Sequence, residues 1–235
     1  MEKKGEIDPE AGRVHAVEAG RGNRFNMLLY HILQPVVRCL IRIYHRARVE
    51  GLDRVPEEGP LILVGNHLSL LDPFYIGAFF PRKIRFMAKK ESFRHPVARW
   101  FLHHFRAFPV DRGKADLKSL KTAIGVLRSG EVLGMFPEGG RRENAPMREL
   151  KQGAAYLALK TGTPILPVYI EGTDQSLPRN AVWIRPRRIR IVVGECIMPD
   201  AGGTGRRSEE QISEEILRAW RRMAGGGREE RRRHG

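Results

Sequence analysis

Between Phe25 and His45 the polar residues His31, Gln34, Arg38, Arg42 and His45 recur at three- and four-residue spacing, and Leu29, Leu33, Val36, Val37, Leu40, Ile41 and Tyr44 fill the positions between them. That spacing predicts a helix with a wide apolar arc and a narrow basic stripe. A bilayer-spanning helix needs about 20 predominantly apolar residues, and the arginines and Pro35 interrupt this run. The segment reads as an amphipathic helix lying in a membrane interface, or a helical pair split at Pro35; packing on the protein's own sheet is the alternative. Further along, short β-like runs alternate with helical stretches. The predicted strands are Leu61 to Gly65, Ile84 to Ala88, Ala107 to Val110, Val132 to Phe136, Ile165 to Ile170 and Arg188 to Val193. The predicted helices are Pro73 to Phe80, Ser92 to Phe105, Asp116 to Arg128 and Gly153 to Thr161. Alternation of this kind predicts an α/β fold, a mostly parallel central sheet flanked by helices. Ser208 with Gln211 forms a capping-box signature for a last helix through Met223, which Gly225, Gly226 and Gly227 are expected to end. The predicted organisation is a poorly ordered N-terminus over 1–24, the interfacial helical segment over 25–47, one catalytic domain over 48–224 and a disordered basic tail over 225–235.

Composition narrows the partners. The chain of 235 residues is 41% hydrophobic, which suits one sizeable core. A net charge of +15 calls for a polyanionic partner: nucleic acid, an anionic membrane surface or phosphorylated substrates. Residues 81–121 carry twelve Lys and Arg against three acids, so much of the excess is local. A basic nucleic-acid-binding protein is the alternative of another class; it would interleave stacking aromatics with these cations, whereas the aromatics here read as core positions, so no nucleic-acid partner is expected. Cys39 and Cys196 lie far apart, without metal-ligand spacing. That argues against a disulfide framework or a metal site and for a reducing compartment. Residues 1–24 have no apolar stretch behind a short basic start, so they do not read as a secretory signal.

In a mostly parallel sheet, functional residues belong on loops beyond the carboxyl ends of strands. His67 and Asp72 follow the strand Leu61 to Gly65 and form the pattern of a general base with its orienting acid. Five positions along an ideal helix would carry Asp72 off the face of His67, so the pair needs a turn. Pro73 is expected to supply part of it by keeping Asp72 out of the α region. A loop histidine beside a helix N-cap is the plainer alternative. Ser69 sits in no Gly-x-Ser-x-Gly elbow, and a hydrogen bond that shapes the turn suits it better than attack on substrate.

Three more segments end strands with groups fit to bind phosphate or shape its site. Phe108-Pro109-Val110-Asp111-Arg112 offers a guanidinium for bidentate contact. Phe136-Pro137-Glu138-Gly139-Gly140-Arg141 combines a carboxylate, an arginine and glycines that let backbone approach a ligand. Thr163-Pro164-Ile165-Leu166-Pro167-Val168 is a proline-bracketed strand. Arg185, Arg187, Arg188 and Arg190 read as a basic strand edge, facing headgroups or merely solvated.

These four blocks, in this order, resemble the glycerolipid acyltransferase superfamily, over roughly residues 48–200. The family pattern Asn-His-x-Ser-x-x-Asp is matched by Asn66, His67, Ser69 and Asp72, and Phe-Pro-Glu-Gly-Thr-Arg by Phe136, Pro137, Glu138, Gly139 and Arg141. Arg112 matches the end of the second block, and Pro164 and Pro167 match the fourth. The chain departs from the pattern at Arg106, where Gly is usual, and at Gly140, which replaces Thr. The resemblance implies O-acyl transfer from acyl-CoA or acyl-carrier protein to the free hydroxyl of 1-acyl-glycerol-3-phosphate, or of another lysophospholipid or amino-acid lipid. It implies catalysis by His67 and Asp72 and substrate binding by Asn66, Ser69, Lys89, Arg112, Glu138, Gly139 and Arg141. No metal and no cofactor beyond the donor is expected. The expected location is the cytoplasmic face of the cell membrane, on its anionic surface.

Overall fold

Leu61, Ile62, Leu63 and Val64 are fully buried, as a strand covered on both faces requires. They form β2 (Leu61–Gly65), the middle of a sheet built among the described residues from seven strands. The computed structural model describes residues 34–94, 99, 102, 107–111, 116–140, 150–178, 181, 183–199 and 207–233, with side chains of the last helix described through Gly226. The other strands are β1 (Arg48–Glu50), β3 (Ile84–Lys89), β4 (Phe108–Val110), β5 (Val132–Met135), β6 (Ile165–Glu171) and β7 (Arg190–Val193). Their order is β1-β7-β6-β2-β5-β3-β4, and every neighbour pair is parallel except β6 with β7. The predicted strands appear, each within two residues of its expected ends. β1 escaped the sequence because three residues are too few to show a period.

Among the described residues the helices are α1 (34–45), α2 (Asp72–Phe79), α3 (Leu117–Arg128), α4 (Gly153–Thr161), the single turn α5 (Thr173–Ser176) and α6 (Glu209–Arg233). The alternation along β2 divides two cores. Leu61 and Leu63 pack with α1 and α2, while Ile62 and Val64 pack with α3, α4 and α6. Trp220, fully buried, anchors α6 in the second core. The predicted helix from Ser92 to Phe105 falls largely outside the described residues; its first three residues belong to a 3-10 turn, Lys90–Arg94, and its described positions Arg99 and Leu102 are helical. Gly225 to Gly227 do not end α6, which continues to Arg233. Each glycine in a helix interior costs about 1 kcal/mol relative to alanine without forbidding helical geometry. The upstream anchors Ile212, Ile216 and Trp220 already hold the helix on the core.

The faces of α1 lie the opposite way from a helix that buries its apolar arc. Gln34, Arg38, Ile41 and His45 turn toward the domain, and Val36, Val37, Leu40, Ile43 and Tyr44 face outward. The cause is the C-terminus of α2, where unpaired carbonyls and the negative dipole end seek donors and cations. Gln34 Nε2 lies 3.2 to 3.3 Å from the carbonyls of Gly77, Ala78 and Phe80. Arg38 Nε donates to Ala78 at 3.1 Å, and the Arg42 guanidinium sits over the Phe79 ring. Of the arc's described members, Ile41 packs in the first core, and Val36, Val37, Leu40 and Tyr44 face outward. The stretch before residue 34, including His31, lies outside the described residues, and Pro35 falls in the first described turn of α1. Among the described residues, no helix is long and apolar enough to cross a membrane.

His45 is buried with its Nε2 2.8 Å from the Tyr75 hydroxyl. Burial pulls its pKa below the usual 6.5, partly offset by the Arg187 backbone. Burial pushes Tyr75 up to about 12, so that hydroxyl keeps its proton. As pH falls through the ordinary histidine range, the unfolded chain takes up a proton that folded His45 resists. The stability this site contributes is therefore present above that range and lost in acid. Between about pH 7.5 and pH 5.5, the urea midpoint of the wild type should fall more steeply than that of His45→Gln. Equal slopes would show that His45 does not carry the effect.

Candidate active site

The chain leaves β2 through Asn66, whose buried amide clamps the loop to β6. Its Nδ2 donates to the Ile170 carbonyl at 2.8 Å, and its Oδ1 accepts from the Ile170 N–H at 2.7 Å. Ser69 is also buried: its hydroxyl lies 3.4 Å from the Leu177 carbonyl and from the Leu71 N–H. Both side chains are committed to the shape of the loop.

Asp72 is fully buried and is the first residue of α2. The expectation that Pro73 keeps it out of the α region is not met. Pro73 opens the helix, where its missing N–H costs nothing and its fixed φ suits the first turn. The reversal that brings Asp72 back to His67 occurs upstream, with the Asp72 N–H bonded to the Ser69 carbonyl at 3.3 Å. Among the described residues, four donors converge on the carboxylate. Oδ2 accepts from Leu68 N–H at 2.7 Å, Ser69 N–H at 2.7 Å and His67 Nδ1 at 2.9 Å, and Oδ1 accepts from the Thr173 hydroxyl at 2.6 Å. An anion in this setting takes Nδ1–H as a donor, which leaves the ring lone pair on Nε2. Among the described residues Nε2 has no hydrogen-bond partner, and the side chain retains 13% exposure.

The imidazole is held from two further sides. It stacks on Phe136 with centroids 4.4 Å apart, and Phe136 stacks on Phe86 at 5.8 Å. Gly134 permits this stack, since a Cβ there would collide with the Phe86 ring. Glu138 Oε2 accepts from the backbone N–H of His67 at 3.0 Å, joining the third block to the first. Gly139 turns with φ +73, and the Lys151 side chain lies across it where a Cβ would sit. Lys89, at the carboxyl end of β3, is half-exposed and 3.6 Å from Glu91. β3 stands two strands from β2, a lateral offset of about 10 Å. Arg112 and Arg141 lie outside the described residues.

Two parts of this site were not read from the sequence. Thr173 belongs to no block; its one signal is a place just past the carboxyl end of β6, the same kind of place as His67 and Glu138. Lys151 lies ten residues beyond Arg141 in sequence and reaches the third block only through the turn in which its N–H meets the Pro137 carbonyl at 2.9 Å. A cavity of about 410 Å³ adjoins the loop on the β6 side, bordered by Leu68, Tyr169, Glu171, Asp174, Gln175 and Arg188. Arg190 does not extend a basic edge, because it forks onto Glu50 at 2.7 and 2.9 Å.

A family model described as Acyltransferase matches residues 46–171, a span that contains His67, Asp72, Lys89 and Glu138. The chain belongs to the acyltransferase family. Among its relatives, the 1-acyl-sn-glycerol-3-phosphate acyltransferase of Bacillus subtilis (strain 168) is 27% identical over 169 residues, 71% of this acyltransferase and 81% of the relative. The protein of the same name from Streptococcus pneumoniae is 36% identical over 140 residues, 58% of this chain and 52% of the relative. Several curated relatives are longer, and the chain spans about half of their length. The crystal structure of the 1-acyl-sn-glycerophosphate acyltransferase PlsC from Thermotoga maritima superposes with a TM-score of 0.68 at 25% identity, covering 90% of this acyltransferase and 89% of that chain. That superposition extends the likeness from the motif blocks to the whole layered fold.

Proposed function

We propose that this acyltransferase moves a fatty acyl group from acyl-CoA or acyl-carrier protein to the free hydroxyl of 1-acyl-glycerol-3-phosphate, giving phosphatidic acid. The reading rests on the 2.9 Å contact between His67 Nδ1 and Asp72, with three further donors holding the carboxylate. The names of the relatives support the acceptor.

His67 Nε2 takes the proton of the acceptor hydroxyl as its oxygen attacks the thioester carbonyl, and Asp72 stabilises the imidazolium that forms. The tetrahedral intermediate then expels the sulfur. The thiolate takes the proton back from His67, so the products are an ester and a free thiol. A thioester is already activated, so this chemistry asks for neither a metal nor an acyl-enzyme. Glu138 acts on the loop by fixing the His67 backbone, and Asn66 and Ser69 act likewise as positioning residues. Lys89 and Lys151 are the described cations for the acceptor phosphate, and Arg112 and Arg141, outside the described residues, are the further candidates that the sequence offers. The outward apolar face of α1 rests on the cytoplasmic leaflet, where the acceptor resides.

Labelled acyl donor supplied with a panel of lyso-acceptors tests the assignment. Labelled phosphatidic acid should dominate. Faster labelling of a lysophosphatidylcholine or of an amino-acid lipid would overturn the headgroup assignment while leaving the pair in place.

A further inference from the structure

The loop before β7 carries Trp183, which is 81% exposed, and Ile184, 44% exposed, followed by the exposed Arg185, Arg187 and Arg188. An indole this bare on a folded surface, followed by cations, has the composition of a membrane-interface anchor. The loop is joined to the outward face of α1, because the Tyr44 hydroxyl donates to the Ile184 carbonyl at 2.8 Å. On the α1 side of that contact Leu40 and Ile43 are 61% and 73% exposed. The loop is also tied to the active site. Arg185 N–H donates to the Ser176 carbonyl at 2.9 Å, and the Ser176 hydroxyl returns a bond to the Arg185 carbonyl at 3.1 Å. Ser176 ends the single helical turn whose first residue, Thr173, holds Asp72.

We infer that residues 183–188 form a second membrane contact, selective for anionic bilayers, with Trp183 and Ile184 entering the interface and Arg185 and Arg187 drawn to the net negative charge of anionic headgroups. This deepens the membrane reading of α1 and rests on it. Two limbs fix an orientation that one helix leaves free to roll, and the bonds through Ser176 and Thr173 set the His67 loop in a defined relation to the bilayer. The apolar pair and its continuity with α1 favour a lipid surface over an acidic protein as the occupant, and the chain's net charge of +15 complements an anionic leaflet.

Sedimentation with vesicles of phosphatidylcholine, alone or mixed with phosphatidylglycerol, tests the inference on the full-length protein. Arg185→Gln combined with Arg187→Gln should lower partition onto the anionic vesicles by roughly 10- to 30-fold and leave partition onto neutral vesicles unchanged. Trp183→Ala should weaken binding to both. In a Trp100→Phe background, brominated lipid should quench Trp183 emission, since the remaining Trp220 is fully buried. Turnover of a soluble short-chain acceptor should be unchanged in all loop variants. Release by Leu40→Gln with Ile43→Gln, but not by the loop variants, would overturn the second contact and leave α1 as the membrane limb. Unchanged partition in every variant would overturn both readings. Unchanged partition with a raised KM for acyl-carrier protein in the arginine variant would overturn the inference in favour of an acidic donor protein.

Discussion

His67→Ala should lower kcat for acyl transfer by about 10² to 10⁴-fold, the range that a positioned general base supplies. The group is needed only as the hydroxyl proton leaves, so kcat and kcat/KM should fall together while the acceptor KM stays close to wild type. Asp72 keeps its bonds from Leu68, Ser69 and Thr173 in this variant, so the loop retains its shape and the urea midpoint should change little. Initial rates at saturating donor, with circular dichroism as a control on folding, check the prediction. Turnover at the wild-type rate would remove His67 from the mechanism.

Asp72→Asn should have an effect as large on rate and a further one on stability. An amide at this position presents a donor where the carboxylate accepted four hydrogen bonds, so at least one buried group loses its partner. Stranding such a group costs about 1 to 3 kcal/mol, which urea denaturation would detect. Loss of the anion also frees the imidazole to adopt the other tautomer, and a comparable change in a triad lowers kcat by about 10⁴-fold. Thr173→Val is the graded version: it removes one donor, keeps the side-chain shape and should lower kcat by less than Asp72→Asn. Thr173→Ser restores the hydroxyl and should restore the rate. A Thr173→Val enzyme with wild-type kcat would show that three donors suffice to aim the carboxylate.

The central strands were legible because burial on both faces leaves continuous apolar runs, as in Leu61 to Val64 and Ile165 to Ile170, bounded by glycine and proline. The partnership of His67 with Asp72 was legible from its place after such a strand. Its local geometry was not, because proline biases the residue before it yet also opens helices, and here the second effect governs Pro73. The pattern along α1 defined two faces without saying which one meets the protein. That depended on the exposed carbonyls at the end of α2, a feature of the tertiary fold and not of residues 34–45 themselves. Thr173 was hidden for a similar reason: its bond to Asp72 spans 101 positions in sequence. Asn66 and Glu138 stood out as site residues, but only the fold reveals that they brace the His67 loop through β6 and through the His67 N–H.

Acyl transfer by this route depends on Asp72 holding the His67 ring with its proton on Nδ1 and its lone pair on Nε2, ready to accept the proton of an alcohol. Nitrogen-15 chemical shifts of the His67 imidazole, recorded where the ring is neutral, read that arrangement directly. The wild type should show a protonated Nδ1 and an unprotonated Nε2, with the preference lost in Asp72→Asn. A proton found on Nε2, or a tautomer unaffected by replacing Asp72, would refute the pairing as the source of the base.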